Sequence, residues 1–239
     1  MASPSRVASA ARIAGLAAVT LCVLGPLSNQ LGITRPIHGF VAFGLGLLLG
    51  LVALALGLVG LFTTRAASGK GGRALALTGS LLGLLILATG IVASSPGWGL
   101  PRINDITTDT ADPPAFADPK LAYPGEPFAS QQRACAAYRD LAPIQLAESP
   151  DAAWRAARAT AQDLGWKIVR EDAASGVFEA TQTTAIFRFV DDVVVRVRPE
   201  SGGTRVDVRS KSRDGQGDVG ANAKRIRTFA RALESKAAG

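Results

Sequence analysis

The sequence predicts an α+β protein behind a membrane anchor: an N-terminal three-helix transmembrane region followed by an antiparallel four-stranded sheet packed with two helices. Three observations carry this. All 19 carboxylates of the 239-residue chain lie at or beyond Asp105. Ahead of it, the runs 13–34, 37–64 and 74–101 contain no Asp, Glu, Lys or Arg, and each meets the roughly 20 residues that a helix needs to cross the bilayer core. Beyond residue 149 the apolar pattern turns from helical spacing to a period of two and back.

The runs predict helices over about 11–30, 38–62 and 74–95, within an anchor region of residues 1–100. Pro26 and Pro96 are expected where helix gives way to the membrane interface, with Trp98 just beyond, where an amphipathic ring prefers to lie. Arg6 and Arg12 ahead of the first run also suit a secretory signal, although no small-x-small cleavage site follows its core at Leu24-Gly25-Pro26-Leu27. Leu21 stands where lipidation of Cys22 would require a small residue. Small residues recur at three- and four-residue steps, as in Gly46, Gly50, Ala53, Gly57 and Gly60, which would let helix backbones approach closely. No span carries a charge near its centre, so an ion or proton pathway lacks its usual mark. An anchor is the expectation.

Charge follows the same division. Arg6, Arg12, Arg35, Arg65, Lys70 and Arg73 are the only Lys or Arg within residues 1–100, so the net +7 of the chain is +6 in the anchor and +1 in the rest. The basic pI near 10 is therefore no nucleic-acid signature. Basic residues favour cytoplasmic loops. Those before the first span and between the second and third place the N-terminus in the cytoplasm and everything after Pro101 outside it, as in a multi-pass protein of a bacterial-type plasma (inner) membrane.

Residues 101–148 read as an extended lead-in that packs on the domain through Phe116, Tyr123, Phe128, Tyr138, Leu141 and Ile144, with a short helix near 130–138. Asp105, Asp109 and Asp112 lack the glycine turn and distal glutamate of a calcium loop, so turn and cap roles are expected. The domain proper covers 149–239. Ser149-Pro150-Asp151 opens a helix whose Ala153, Trp154, Ala157, Ala161 and Leu164 share a face, and Gly165 closes it. Strands are predicted at 166–171, 176–184, 187–198 and 204–213, and a last helix at 218–236 buries Val219, Ala223, Ile226, Phe229 and Leu233.

In the last two strands Val193, Val195, Val197, Val206 and Val208 take one face, and Asp192, Arg196, Arg198, Arg205, Asp207, Arg209, Lys211 and Arg213 take the other. The charged face is read either as a solvated surface knitted by cross-strand ion pairs or as a recognition surface for an anion. Gly215-Gln216-Gly217-Asp218-Val219-Gly220 spells the dinucleotide-binding glycine pattern. It is rejected, because the following helix has no parallel strand to reach and Asp218 would sit beside the phosphates. Gly215, Asp218 and Gly220 are assigned instead to a strand-to-helix turn, with Asp218 capping the helix.

No catalytic residue, metal ligand or cofactor site is predicted. The only histidine, His38, lies at the edge of the second span, and Cys135 has no histidine near it in sequence. Asp191-Asp192 is the most conspicuous carboxylate pair, but neighbours on a strand point to opposite faces. A carboxylate-dependent hydrolase is thus the least favoured reading.

Three strings carry a resemblance: PRINDITTDTADPPAF (101–116), FRFVDDVVVRV (187–197) and RSKSRDGQGDVGANAKRIRTF (209–229). Together they resemble the domain-of-unknown-function family 1499 of bacterial envelope and plastid-type proteins, over nearly all of the soluble half. Arg209, Ser210, Ser212, Arg213, Asp218, Asn222 and Arg225 match the family's signature. Gly217 stands where a small hydroxyl residue is expected and Arg139 where a proline is. The resemblance implies no activity or ligand. The matching side chains are expected at one corner, with Asp218 pairing with Arg213 or Arg225, either as a structural lock or as an anion pocket formed by Arg209, Arg213, Asn222 and Arg225. The expected function is a membrane-anchored extracytoplasmic accessory or interaction protein. Its expected partners are the lipid bilayer and either an envelope protein or an anionic lipid headgroup or metabolite, with no nucleic acid.

Overall fold

The computed structural model describes residue 3 and residues 5–68 and 70–237; the extreme ends of the expected segments lie outside the described residues. The chain forms two compact units, one of Met1–Pro96 with Ala185–Arg188 and one of Gly97–Thr184 with Phe189–Gly239.

The first unit contains α1 (Arg6–Gln30), α2 (Pro36–Thr63) and α3 (Arg73–Ser94), three helices long and apolar enough to cross a membrane. Small residues face one another where the helices meet. A Cβ added to Gly79 would lie 2.5 Å from the Ala11 backbone, and one added to Gly83 would lie 2.5 Å from the Gly50 carbonyl oxygen; contact of this closeness is how helices without a hydrophobic drive between them associate. Pro26 does not end the first helix as expected, because it sits near the C-terminus of α1. There its missing N–H removes one helical bond, and side chains brace the last turn of α1 and the link to α2. Ser28 Oγ donates to the Gly25 carbonyl at 2.7 Å and Asn29 Nδ2 to the Pro36 carbonyl at 3.0 Å.

The second unit is an antiparallel sheet with helices, the α+β arrangement predicted, but the sheet has six strands. In chain order the elements are β1 (Asp105–Thr107), α4 (Glu126–Ala134), β2 (Ile144–Leu146), α5 (Pro150–Asp163), β3 (Lys167–Asp172), β4 (Val177–Thr183), β5 (Val190–Glu200), β6 (Gly203–Ser212) and α6 (Ala221–Ala237). The strand order is β1-β6-β5-β4-β3, and β2 also pairs with β6. The two extra strands come from the lead-in, each too short to show a period. β1 pairs with Arg209–Lys211 and β2 with Thr204–Val206, so together they cap the outer edge of β6, and the chain between them crosses the sheet. That edge would otherwise offer unpaired backbone groups.

One sheet face meets α5 and α6. Phe178, Val193, Val195, Val206 and Val208 are fully buried there with Ala153, Ala157 and Phe229. Trp166 stacks on Phe229 at 5.0 Å and Trp154 meets Phe178 edge-on at 5.4 Å. The other face is buried as well: Val194, Asp207 and Arg209 are at most 1% exposed. The solvated face expected from the strand pattern is therefore corrected, because residues of the lead-in lie over it. The ion pairs across it are present.

Candidate functional site

Alternation along β6 sends Arg205, Asp207, Arg209 and Lys211 to the face under the lead-in, and Val206, Val208, Ser210 and Ser212 to the helix face. The residues expected at one corner are thereby divided between two polar clusters, back to back.

Under the lead-in, Arg209 holds Asp105 in a two-pronged ion pair, Nε and Nη2 each donating at 2.8 Å. Its Nη1 donates to the Pro114 carbonyl at 3.2 Å and Nη2 also to the Leu121 carbonyl at 2.6 Å. Phe116 and Tyr123 close over the guanidinium at 4.9 and 5.2 Å. Lys211 Nζ adds a third donor to Asp105 at 3.1 Å. Burial pushes the Tyr123 hydroxyl up to about 12. Farther along, Asp207 is enclosed by Arg196, Arg198 and Arg205, which also reach Asp109 and Asp112 of the lead-in. Gln132, buried on α4, acts as a substitute strand for β1. Its Nε2 donates to the Thr107 carbonyl at 2.6 Å, and its Oε1 accepts from the Thr107 amide at 3.1 Å.

On the helix face Arg225 reaches from the first turns of α6 to Asp191 at 2.5 Å, to Ser210 Oγ at 2.8 Å, to Asn222 Oδ1 at 2.6 Å and to Gln182 Oε1. Asn222 Nδ2 donates to Ser212 Oγ at 3.0 Å and to the Asn104 carbonyl at 3.1 Å. Asp191 and Asp192 point to opposite faces. Asp192 takes the Nε and Nη2 of Arg213 at 2.9 and 2.7 Å, which raises the Arg213 pKa further, the bond from Asp192 being the main cause. Asp218 therefore pairs with neither arginine, since the two strand aspartates, held on either face by the pleat, reach those guanidiniums first.

The strand-to-helix turn places Gly215 and Gly220 at φ 84° and 81°, in the left-handed region that suits glycine. Between them the Asp218 carboxylate accepts the amides of Gly220 at 3.0 Å and Asn222 at 2.6 Å. Burial raises its pKa more than those two bonds lower it. Asn104 Nδ2 fastens the turn to the lead-in by donating to the Gly215 carbonyl at 2.6 Å.

Of the four residues proposed for an anion, Asn222 and Arg225 meet on the helix face, whereas Arg209 and Arg213 lie on the other. Arg209, Asn222 and Arg225 are each at least nine-tenths buried, and the Arg213 side chain is half exposed. Asp105, Gln132, Asn104 and Gln182 complete the clusters and were not singled out as site residues. Asp105 alone carried a signal, as the first carboxylate of the chain. Chemically, a guanidinium already saturated by a carboxylate and backbone carbonyls fixes geometry; it has few N–H groups left for a ligand. Among the described residues no group of three or more His, Cys, Asp or Glu is arranged to hold a metal ion.

Fold and clusters define an α+β domain, carried on apolar helices, whose buried charges are matched within the chain. This chain belongs to the family described as "Protein of unknown function (DUF1499)", which matches residues 105–233, more than half of its length. The matched region opens on Asp105, the partner of Arg209, so it takes in the covering lead-in as well as the sheet. A comparison with curated proteins gave no match.

Proposed function

We propose that the chain is a membrane-anchored accessory or interaction protein whose family domain lies outside the cytoplasm, in a bacterial-type envelope. The observation that supports it best is the internal pairing of Arg209 with Asp105 and Arg225 with Asp191: the polar residues that match the family signature serve as locks, which suits a rigid binding module. The orientation rests on the basic residues before α1 and between α2 and α3, opposite the end from which the domain leaves. Single cysteines placed at Ser68 and at Ser201, in a chain with Cys22 and Cys135 replaced by alanine, test it in intact cells. A membrane-impermeant maleimide should label Ser201→Cys and spare Ser68→Cys; the reverse pattern would sink the orientation.

A second reading is supported by the exposure of Arg213, whose guanidinium could receive an anionic headgroup or metabolite beside Asp192. Native mass spectrometry of the full chain released from micelles separates the two. An anion that stays bound to the parent and is lost in Arg213→Ala favours the site, whereas an unliganded parent favours the lock.

A further inference from the structure

The turn between β4 and β5 has the wrong chemistry for a water-facing hairpin. Residues 184–189 read Thr-Ala-Ile-Phe-Arg-Phe, where Gly, Asn, Asp or Pro would be ordinary. Ala185–Arg188 group with the helical unit. The Phe187 ring lies edge-on to Phe40 at 5.2 Å and to Phe43 at 5.6 Å, both in the opening turns of α2. Gln30, the last residue of α1, donates its side-chain amide to the Ala185 carbonyl and, at 2.8 Å, to the Ile186 carbonyl. Arg188 sits at φ 63°, a left-handed conformation that a non-glycine residue disfavours, so contacts at the tip outweigh backbone preference.

We propose that Ala185–Arg188 is a lipid-contacting tip that enters the interfacial layer of the membrane at the α1–α2 end of the bundle. The surface around it says which occupant it fits. Ile186 is 59% exposed, and its neighbour Phe187 packs on Phe40, which belongs with Ile37 and Val41 to the exposed apolar surface at the start of α2. On helices that cross a bilayer, that surface faces acyl chains. Gln30 supplies donors to two turn carbonyls, which matters where water is scarce, because an unpaired carbonyl there costs several kcal/mol. Arg188 completes the pattern: a long stem can lie in the apolar layer while the guanidinium reaches headgroup phosphates. The tip would add a second membrane contact, far in sequence from α3.

This inference rests on the helices lying in a bilayer, and the experiment reads the two separately. In a full chain carrying Cys22→Ala and Cys135→Ala, single cysteines at Ile186, at Leu48 and at Ser201 are labelled with an environment-sensitive fluorophore. Leu48 lies exposed midway along α2 and Ser201 in the exposed β5–β6 turn. The labelled chains are reconstituted into phosphatidylcholine–phosphatidylglycerol vesicles with the domain outward. The Ile186 label should lose emission to a nitroxide placed near the lipid headgroup and keep it in the presence of iodide. The Ser201 label should do the opposite, and the Leu48 label should respond to a nitroxide deep in the acyl chain. An Ile186 label that behaves like Ser201 overturns the proposal. So does one shielded from both quenchers, which would mean that protein, such as a second copy of the chain, covers the tip. A Leu48 label blind to the deep nitroxide overturns the membrane reading itself, and the tip proposal with it.

Discussion

Arg209→Ala tests whether the arginine corner that matches the family signature is a lock or a pocket. The substitution removes both prongs on Asp105, leaving a carboxylate that is 0% exposed with Lys211 as its remaining cation. It also strips donors from the carbonyls of Pro114 and Leu121 and the cation from between Phe116 and Tyr123. Breaking a buried pair from one side costs about 3–5 kcal/mol, and each orphaned carbonyl adds roughly 1 kcal/mol or more. Partial overlap of these losses leaves about 4 kcal/mol, a large fraction of the roughly 5–15 kcal/mol that holds a domain together. Urea unfolding of the full chain in micelles, followed by tryptophan fluorescence, reads this directly, since Trp154 and Trp166 lie against Phe178 and Phe229. A cycle with Asp105→Ala should show the double variant less destabilised than the sum of the singles, by about 2 kcal/mol. An Arg209→Ala chain within about 1 kcal/mol of its parent would refute the lock, because a saturated buried guanidinium cannot be that cheap to lose.

Acid should weaken the clasp between lead-in and sheet. Hydrogen bonds from Arg198 and Arg196 hold the Asp112 carboxyl below its usual range, and a bond from Arg227 does the same for Asp140. A depressed carboxylate stabilises above its unfolded value near 3.8 and loses that contribution as pH falls through the folded value. Melting from pH 5 to pH 3 should therefore fall more steeply in the parent than in Asp112→Asn, by a small margin because Asp112 is largely exposed. Asp218 runs the other way: burial raises its pKa, so the folded chain holds that proton longer and the group loses stability as pH rises from its unfolded value through its folded one. Asp218→Asn keeps an acceptor oxygen for one of the two amides and no longer titrates, so its stability should gain on the parent's across that interval, whereas Asp218→Ala should lose about 1 kcal/mol of capping; equal pH profiles for Asn and parent would count against the raised pKa. Within the helices, Gly83→Leu has no room against the Gly50 carbonyl and should lower the detergent melting temperature of α-helical ellipticity, while Gly44→Leu, where a Cβ meets nothing, should leave it unchanged.

The helices and the four long strands were legible because each repeats a pattern over enough residues to fix a period. The lead-in was not. β1 and β2 join the sheet through Ile106, Ile144 and Leu146, and three-residue strands carry no period of their own; their register is set by β6. The choice among carboxylate partners was equally hidden. Asp218 is near Arg213 and Arg225 in sequence, but the pleat places Asp191 and Asp192 nearer in space, on opposite faces. The one signal in the sequence is that neighbouring strand residues diverge, which sends Asp191 towards Arg225 and Asp192 towards Arg213.

Why the charged face is buried has a physical answer in the match between two segments. A strand alternating valine with arginine ordinarily predicts one wet face, and burying Arg196, Arg198, Arg205 and Arg209 alone would be prohibitive. Asp105, Asp109 and Asp112 of the lead-in recur at spacings that bring them to Arg209, Arg205 and Arg198 in turn, while Asp207 within the strand takes a share of three guanidiniums. Phe116 and Tyr123 then exclude water from the innermost pair. The first carboxylates after the membrane helices are thus the countercharge of the last strand. For that reason the lead-in belongs to the domain: a truncation beginning at residue 149 would leave Arg209 without its carboxylate, Arg196, Arg198 and Arg205 with Asp207 but without Asp109 and Asp112, and a β6 edge without β1 and β2, and should fail to fold, whereas one beginning at Gly97 retains the whole lead-in and should fold. Recovery of a cooperative urea transition from the shorter fragment would show that the sheet stands without its clasp.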